Sequence, residues 1–457
     1  MRITFYIKKI IHQEQGSALA TVLIISVIIS LFIGAIFSGI ILQSRFIQRD
    51  INYTKALYAA EEGGFRFLNS FSVNEFSETP GSVITKEEGG TITKSVPFGG
   101  FLDVQSTAEV SGQKRTVRML AGTKSGSVFG KAVALGDSTS ALTVTGNTII
   151  RGDVVTYNTA VKAENFKGVP FQGSFDGEQV SFSDSFRFPR VETAMFELQE
   201  NHFNSLFENQ GISRFSSGYR GAPTTDFQQG DTLLFSENTE WTSNQRVGFP
   251  MDMTIIVDGN FILNGDYQFR PFTKIIVKDT LLVGGTVSGK NILLFAGKSL
   301  QIGGGASISA QVMSEGSIVI RDDAYLQYPS MVYSSKESYQ GGEREVINIT
   351  GRSIIDGLVL YSSKTNLFTQ DLLRVKIDTD ATVRGGVFNA GQTELLGTVL
   401  GSVVTHQFYF YESPTSYINW LKDITIDVSQ RPPSFVIPLG FADSTKYELV
   451  DWYEIKE

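Results

Sequence analysis

The run from Ser17 to Leu42 narrows the possible folds of this chain more than any other feature. It contains no charged residue and consists largely of Ile, Leu, Val, Ala and Phe. About 20 apolar residues cross the hydrocarbon core of a bilayer as a helix, so the run is long enough to span it with some tilt. A secretory signal peptide has a shorter apolar region. The run predicts a transmembrane helix, and a plain single-pass anchor is one interpretation of it.

The charges around this run indicate its orientation. Arg2, Lys8 and Lys9 precede it, and Arg45 and Arg49 follow it. A short N-terminal segment with a lysine pair usually stays in the cytoplasm. We therefore expect a single-pass protein of the inner (cytoplasmic) membrane whose long C-terminal part lies outside the cytoplasm.

Gly16 stands at the junction between a short charged segment, residues 1–16, and the apolar run that begins at Ser17. This junction resembles the leader of type IV prepilins. In that family a prepilin peptidase cuts after the glycine and methylates the new N-terminus, which leaves the apolar helix attached to the mature protein. The resemblance implies that Gly16 and Ser17 form the processing site.

A second resemblance follows the apolar run. The segment Ala56–Gly64 reads ALYAAEEGG, similar to the AxxAAExG-like signature of proteins with a PilX-type N-terminus, a group of minor pilins. Neither Pro nor Gly occurs from Ile40 to Glu62, so the pattern predicts one extended helix over residues 17–68. Gly63 and Gly64 are expected to interrupt or end its first part, since glycine is common at helix ends.

Thr21 departs from the pattern of the major pilins. Most of them carry a glutamate at the fifth mature position, where it can neutralise the N-terminal amine of a neighbour; counting from Ser17, that position here is Thr21. The K-type minor pseudopilin of type II secretion also lacks this glutamate and lies at the filament tip. The resemblance implies a minor, tip or initiating subunit, with an internal position as the alternative.

Small residues recur along the apolar run. Ser30, Gly34 and Ser38 form a small-xxx-small pattern of the kind that lets membrane helices approach closely. With Thr21, they are the candidate helix-packing positions. Small residues are also common in spanning helices that do not associate, and the sequence leaves that alternative open.

From about Thr93 onward, short apolar runs alternate with Gly, Asn, Asp and Ser, which indicates β structure. The apolar runs recur at steps of 17 to 20 residues, in two series: Phe261, Leu281, Leu300 and Ile318, and Ile255, Ile275 and Ile292. Such a period is typical of the coils of a parallel β-solenoid. The Gly-Val-Thr texture of residues 385–403 resembles bactofilin-like β-helical repeats. A β-sandwich is the alternative architecture.

The predicted fold class is mainly β, with a long N-terminal helix before the β-rich body. After the leader and the helix we expect a small membrane-proximal β region over residues 69–125, with a hairpin around Ser111 and Gly112. A solenoid-like body follows over residues 126–440. A helical insertion near residues 191–209 is expected to cover a coil edge or open end. The aromatic segment 408–423 and the tail 441–457 are expected to form a cap.

Little in the sequence predicts chemistry. The chain has no cysteine and three histidines, His12, His202 and His406, which lack the spacing of metal ligands. Two acidic pairs, Asp322 with Asp323 and Asp378 with Asp380, are the candidates for carboxylate catalysis on a solenoid face. Corner acids are more often turn formers. We expect no enzyme, cofactor or metal, and the net charge of −8 argues against a nucleic-acid partner.

These observations favour a minor pilin or pseudopilin subunit of a type IV pilus or type II secretion-like filament. Its role would be assembly initiation, adhesion or secretion. The implied partners are the prepilin peptidase, other subunits, the inner-membrane assembly platform and surface glycans. A membrane-tethered carbohydrate-binding or carbohydrate-active β-helix protein is the alternative.

Overall fold

The computed structural model of the chain describes residues 3–72, 83–124, 126–157, 160–182, 188–208, 214–215, 227–337, 344–362, 373–432, 435–441 and 446–455. Side chains are described in these ranges except at residues 3–17, 127, 214, 215 and 244.

One unbroken helix, α1 (Ile3–Ser70), carries the whole apolar run and the signature segment. The expectation that Gly63 and Gly64 interrupt it is wrong, because both are helical. Both glycines lie against a β-sheet, where tertiary packing offsets their low helix propensity.

The first β element is an antiparallel sheet beside α1. Its strands in chain order are β1 (Ile84–Glu88), β2 (Thr91–Phe98), β3 (Phe101–Val110) and β4 (Gln113–Lys124). Strands β3 and β4 form the predicted hairpin, and Ser111 and Gly112 adopt the positive φ angles of its turn.

The remaining strands in the first part of the chain are short. They are β5 (Val133–Leu135), β6 (Thr143–Thr145), β7 (Ile149–Arg151), β8 (Val154–Thr156), β9 (Lys162–Ala163), β10 (Ser174–Asp176) and β11 (Gln179–Ser181). The helix α2 (Ala194–Leu206) follows them.

A long series of strands follows α2. These are β12 (Arg214–Phe215), β13 (Thr232–Phe235), β14 (Thr239–Gly248), β15 (Thr254–Val257), β16 (Phe261–Phe269), β17 (Lys274–Val277), β18 (Thr280–Ala296), β19 (Ser299–Ile302), β20 (Ser307–Ser314), β21 (Ser317–Ile320), β22 (Tyr325–Ser334), β23 (Glu345–Ile349), β24 (Ile354–Tyr361), β25 (Arg374–Ile377), β26 (Thr382–Leu395), β27 (Thr398–Glu412), β28 (Thr415–Ile418), β29 (Trp420–Lys422), β30 (Thr425–Asp427), β31 (Val436–Ile437) and β32 (Tyr447–Ile455).

The body is a parallel β-solenoid. Leu281 lies beside Phe261 in a parallel ladder, Leu300 beside Leu281, and Ile318 beside Leu300, as the sequence period predicts. These side chains point inward and are fully buried with the other core residues. The β-sandwich alternative is wrong, since the coils pair in parallel.

The second apolar series is only partly confirmed. Ile255 lies beside Ile275 as predicted, but the next partner of Ile275 is Leu294 and not Ile292. An irregularity in β18, between Gly289 and Ile292, shifts the register there. A sequence period cannot reveal this pairing, because residues 292–296 are all apolar and any of them could be the counterpart of Ile275.

The order of coils along the solenoid differs from the order of the chain. The coils of β12 to β27 stack in sequence, but β5 and β30 then pair with β27, β7 and β8 follow them, and β10 and β11 come last. Segment 408–423 therefore does not cap the stack, contrary to expectation. Its first residues lie in β27, which pairs antiparallel with β28 as a hairpin beside the stack.

Helix α2 lies along one side of the solenoid and not over an edge or end as expected. Its Phe196 stacks on Tyr333 at 4.2 Å between ring centroids, and Phe203 lies 5.0 Å from Phe295. These partners point outward from two coils of the solenoid, with Met313 of the coil between them in the same row. The apolar face of α2 therefore packs on this outward row of apolar side chains and not on an end of the solenoid.

The C-terminal tail does not cap the solenoid either. Strand β31 and then β32 pair antiparallel with β4, so the tail completes the N-terminal sheet. The sheet is thus layered between α1 on one face and the outward apolar row of the solenoid on the other. The free edge of β4 offers main-chain partners that a solenoid end with very short strands does not.

Candidate functional site: the N-terminal helix and its seat on the β body

The first half of α1 exposes apolar side chains on all sides. From Leu19 to Leu42 the large aliphatic and aromatic side chains are largely accessible, with Leu31 at 69% and Phe32 at 67%. A helix of this length and composition can cross a membrane, and it lies near the N-terminus. Such a surface is stable in lipid, where apolar side chains need no protein cover. The helix is compatible with a membrane anchor.

The predicted site residues lie along this segment. Gly16 and Ser17 belong to the helical backbone of α1, and their side chains fall outside the described part of the structure. Ser30, Gly34 and Ser38 are exposed and lie within about 80° of arc on the helix. A Cβ built on Gly34 meets no atom within 4 Å, so this face is open.

Thr21 does not share that face. It lies nine residues before Ser30, which corresponds to about 180° around a helix with 3.6 residues per turn. The structure therefore groups Ser30, Gly34 and Ser38 and separates Thr21 from them.

The second half of α1 docks on the antiparallel sheet through small residues. Ala56 and Ala60 are fully buried, and Gly63 and Gly64 are buried on the same side. A Cβ on Gly63 would lie 2.7 Å from Ser106 Oγ and 2.8 Å from Thr91 Oγ1. The signature segment thus lets the helix backbone approach the sheet more closely than any larger side chain would permit.

The end of this contact nearer to the apolar run is polar. Tyr53 donates a hydrogen bond to Glu454 on β32, and the Arg115 guanidinium lies 3.6 Å from the Tyr53 ring centroid. Arg115 Nε is 3.8 Å from Glu454 Oε1. The hydrogen bond to Glu454 raises the pKa of Tyr53, so the phenol stays protonated and keeps donating at neutral pH.

A buried arginine of the sheet, paired with an aspartate of the same sheet, also contacts the solenoid. Arg118 on β4 donates to both carboxylate oxygens of Asp103 on β3, at 2.8 and 2.6 Å, with the side chains 2% and 0% exposed. Arg118 also reaches Asp252 of the solenoid at 3.2 Å and lies 3.5 Å from the ring centroid of Phe272. Burial alone would lower the pKa of Arg118, but Asp103 outweighs it and raises that pKa.

Two buried glutamine side chains bind the turn between β2 and β3. The Gln199 side chain accepts a hydrogen bond from Gly99 N at 2.9 Å and donates to Gly99 O at 2.8 Å. Gln311 of the solenoid accepts from Gly100 N at 3.2 Å. Helix α2, the sheet and the solenoid therefore meet at one buried point.

Sequence reasoning missed the polar residues of this seat. Asp103 and Arg118 each interrupt an apolar stretch of a predicted strand, which is the signal that could have marked them. Their pairing could not be read from the sequence, because the hairpin register decides it.

The acidic pairs lie at solenoid corners. Asp323 pairs with Arg352, with Nε 3.0 Å from Oδ1, and Asp322 and Asp323 both have positive φ. Asp378 and Asp380 lie on no strand, because both fall in the turn between β25 and β26. Asp378 accepts from the backbone N of Thr379, as a turn-forming aspartate does.

The described histidines show no ligand arrangement. Burial lowers the pKa of His202 and of His406, so both favour the neutral form. In the part of the chain that the structure describes, no three or more His, Asp and Glu side chains are grouped to hold a metal ion.

No protein-family model and no curated protein matches the chain. Among solved structures, the crystal structure of the competence-associated pilin ComZ from Thermus thermophilus is similar at 11% sequence identity. The alignment covers 89% of this chain and 98% of that chain, with a TM-score of 0.23.

Proposed function

We propose that the protein is a minor pilin or pseudopilin subunit of a type IV pilus or type II secretion-like filament. The observation that carries this proposal is the single helix α1. Its first half exposes apolar side chains all round, and its second half packs on the β body through buried residues. A plain anchor needs only the first half, whereas a subunit that is pulled from the membrane into a filament also needs a packed link between helix and body.

In this proposal the prepilin peptidase cuts between Gly16 and Ser17 at the cytoplasmic face of the inner membrane. The mature helix then packs with other subunits on the inner-membrane assembly platform. The open face of Ser30, Gly34 and Ser38 is suited to such packing, since small residues let helices approach closely.

We place the subunit at the filament tip or at the start of assembly. Thr21 supports this position, because it carries no charge to offset a neighbour's N-terminal amine in an apolar surrounding. A subunit of this kind docks less readily on one below it. The β body would then be presented at the end of a filament.

We propose a non-enzymatic role for the body, which the corner positions of the acidic pairs support. Adhesion to surface glycans is the candidate activity. The hairpin of β27 and β28 carries Tyr411, which is 51% exposed, and aromatic rings stack on apolar sugar faces. Weaker retention of Tyr411→Ala than of the parent chain on immobilised glycans would support this activity, and equal or absent retention of both would refute it.

The decisive experiment for the filament role is the N-terminal mass of the protein from native membranes. The expected mature chain begins at Ser17 and carries a methyl group, and a Gly16→Leu variant retains Met1. An intact Met1 in both chains would refute the proposal and leave a plain single-pass anchor. Filament counts in a deletion strain, with and without the Gly16→Leu variant, test the assembly step separately.

A further inference from the structure

The C-terminal strand β32 touches all three parts of the molecule. It pairs antiparallel with β4 from Tyr447 beside Thr123 to Ile455 beside Thr116. It contacts α1 through Glu454 and the solenoid through Asp451 and Tyr453. More than 300 residues of chain separate it from β4. This contact can therefore form only after the whole solenoid segment has been synthesised.

The contact with α1 is a small polar cluster. Glu454 accepts a hydrogen bond from Tyr53, and Arg115 lies beside both, against the Tyr53 ring and near the Glu454 carboxylate. The Glu454 side chain is 17% exposed, so the surrounding protein partly shields its charge from solvent. The cluster holds the helix at Tyr53, about three turns beyond the end of the apolar run at Leu42.

The contact with the solenoid is a second polar cluster. Asp451 accepts from Lys290 at 2.7 Å, from the Asn291 side chain at 2.9 Å and from the Tyr453 hydroxyl at 2.8 Å. The Tyr453 ring meets Phe272 edge-on at 5.4 Å between centroids. Burial alone would raise the pKa of Asp451, but its hydrogen-bond donors outweigh this and lower it, so the carboxylate stays charged at neutral pH.

The sheet depends on β32 for its own completeness. Without β32, the edge of β4 opposite β3 would have no main-chain partner among the described strands, because β31 pairs with β4 on the β3 side, beyond the end of β3. Met119, whose side chain packs against Gly64 of the helix, lies on β4. An open β4 edge weakens the surface on which α1 sits.

We propose that β32 is a clasp that holds α1 in its seat, so that the helix and the body become one unit only when the C-terminal residues have reached the body. The clasp does not depend on the proposed membrane topology. A chain with a defective clasp would keep its solenoid but would carry a loosened helix.

Thiol labelling tests the clasp, because the chain has no cysteine of its own. Ala60→Cys places one thiol in the buried helix–sheet contact, and Ala296→Cys places one in the solenoid core. Each is made in full-length protein extracted in detergent, with the double substitution Asp451→Ala and Glu454→Ala or without it. Glu448→Ala is the matched control, since Glu448 lies on the same strand and meets only Lys124 at 3.7 Å among the described ion pairs.

The expected result is that the double substitution speeds labelling at position 60 by roughly tenfold or more, because hydrogen bonds to charged groups are lost. Labelling at position 296 stays slow, and Glu448→Ala changes neither rate. Unchanged protection at position 60 would overturn the clasp. Equal acceleration at both positions would also overturn it, since β32 would then hold the whole fold together.

A second cysteine position covers the case in which Ala60→Cys by itself loosens the helix–sheet contact. Ala56→Cys probes the same contact one helical turn earlier, and Ala56 is fully buried. It replaces Ala60→Cys if that substitution alone exposes its thiol. The measurement requires neither cleavage at Gly16 nor filaments, so its failure and the failure of the proposed function are distinguishable.

Discussion

Replacing Gly63 by leucine tests whether the glycine pair of α1 serves close packing. A Cβ at this position would lie 2.7 Å from Ser106 Oγ and 2.9 Å from Thr91 Cβ. Comfortable contacts of this kind are about 3.5 Å, so the helix would have to retreat by roughly 0.7 Å. Neither neighbour is free to yield, because Ser106 accepts from Thr93 at 3.2 Å and Thr91 donates to Glu88 O at 2.6 Å.

Two opposing effects set the size of the change. Leucine at a helical glycine position stabilises the helix by about 1 kcal/mol. Overpacking a tight contact destabilises by about 1–3 kcal/mol, and leucine adds a whole side chain, so the upper end applies. The expected net loss in the free energy of unfolding is therefore about 2 kcal/mol.

Urea unfolding of the full chain in detergent, followed by tryptophan fluorescence, measures this loss. Gly34→Leu is the matched control, because its Cβ meets no atom within 4 Å and only the helix-propensity effect remains. A Gly63→Leu protein as stable as the Gly34→Leu protein would refute the close-packing explanation. The signature segment would then need another reason for its glycines.

Two further predictions concern buried charges. Asp103→Ala leaves Arg118 buried without its main partner and is expected to lower the free energy of unfolding by about 3–5 kcal/mol. The double substitution Asp103→Leu with Arg118→Met is expected to recover most of this loss, because no buried charge is left unpaired. Urea unfolding measures both proteins, and equal losses in the two would contradict the prediction. Burial alone would raise the pKa of Asp427, but hydrogen bonds from Ser429, Gln430 and Arg151 outweigh it and lower that pKa to about 2. Because the folded pKa is depressed, the carboxylate stabilises the fold above the unfolded pKa of about 3.9 and this contribution fades as the pH falls toward 2. Asp427→Asn is thus expected to cost about 2 kcal/mol near pH 6 and much less near pH 2.5, and a pH-independent difference in urea unfolding would show that the shift is wrong.

Local patterns in the sequence predicted the repeating parts of the fold. The uncharged run from Ser17 to Leu42 defined a membrane-compatible helix, because hydrophobicity and length suffice for that inference. The step from Phe261 to Leu281 to Leu300 defined the parallel coils, since each residue pairs with its counterpart one period later.

The sequence did not predict the parts that join distant segments. Gly63 and Gly64 look like a helix end, yet the sheet beside them keeps them helical. The tail looks like a solenoid cap, yet the open edge of β4 takes it. Propensity is a local quantity of about 1 kcal/mol per residue, and a large tertiary contact outweighs it.

Some features of the candidate site follow from the sequence, and others follow only from the tertiary structure. By themselves, the residues from Gly16 to Ser38 specify an apolar helix with one small-residue face, because helix geometry alone fixes which positions are neighbours. Only the tertiary structure decided that Tyr53, Arg115 and Glu454 meet, and that Arg118 pairs with Asp103 and reaches Asp252 of the solenoid. These contacts depend on strand register and coil order, which arise from packing between segments far apart in the chain.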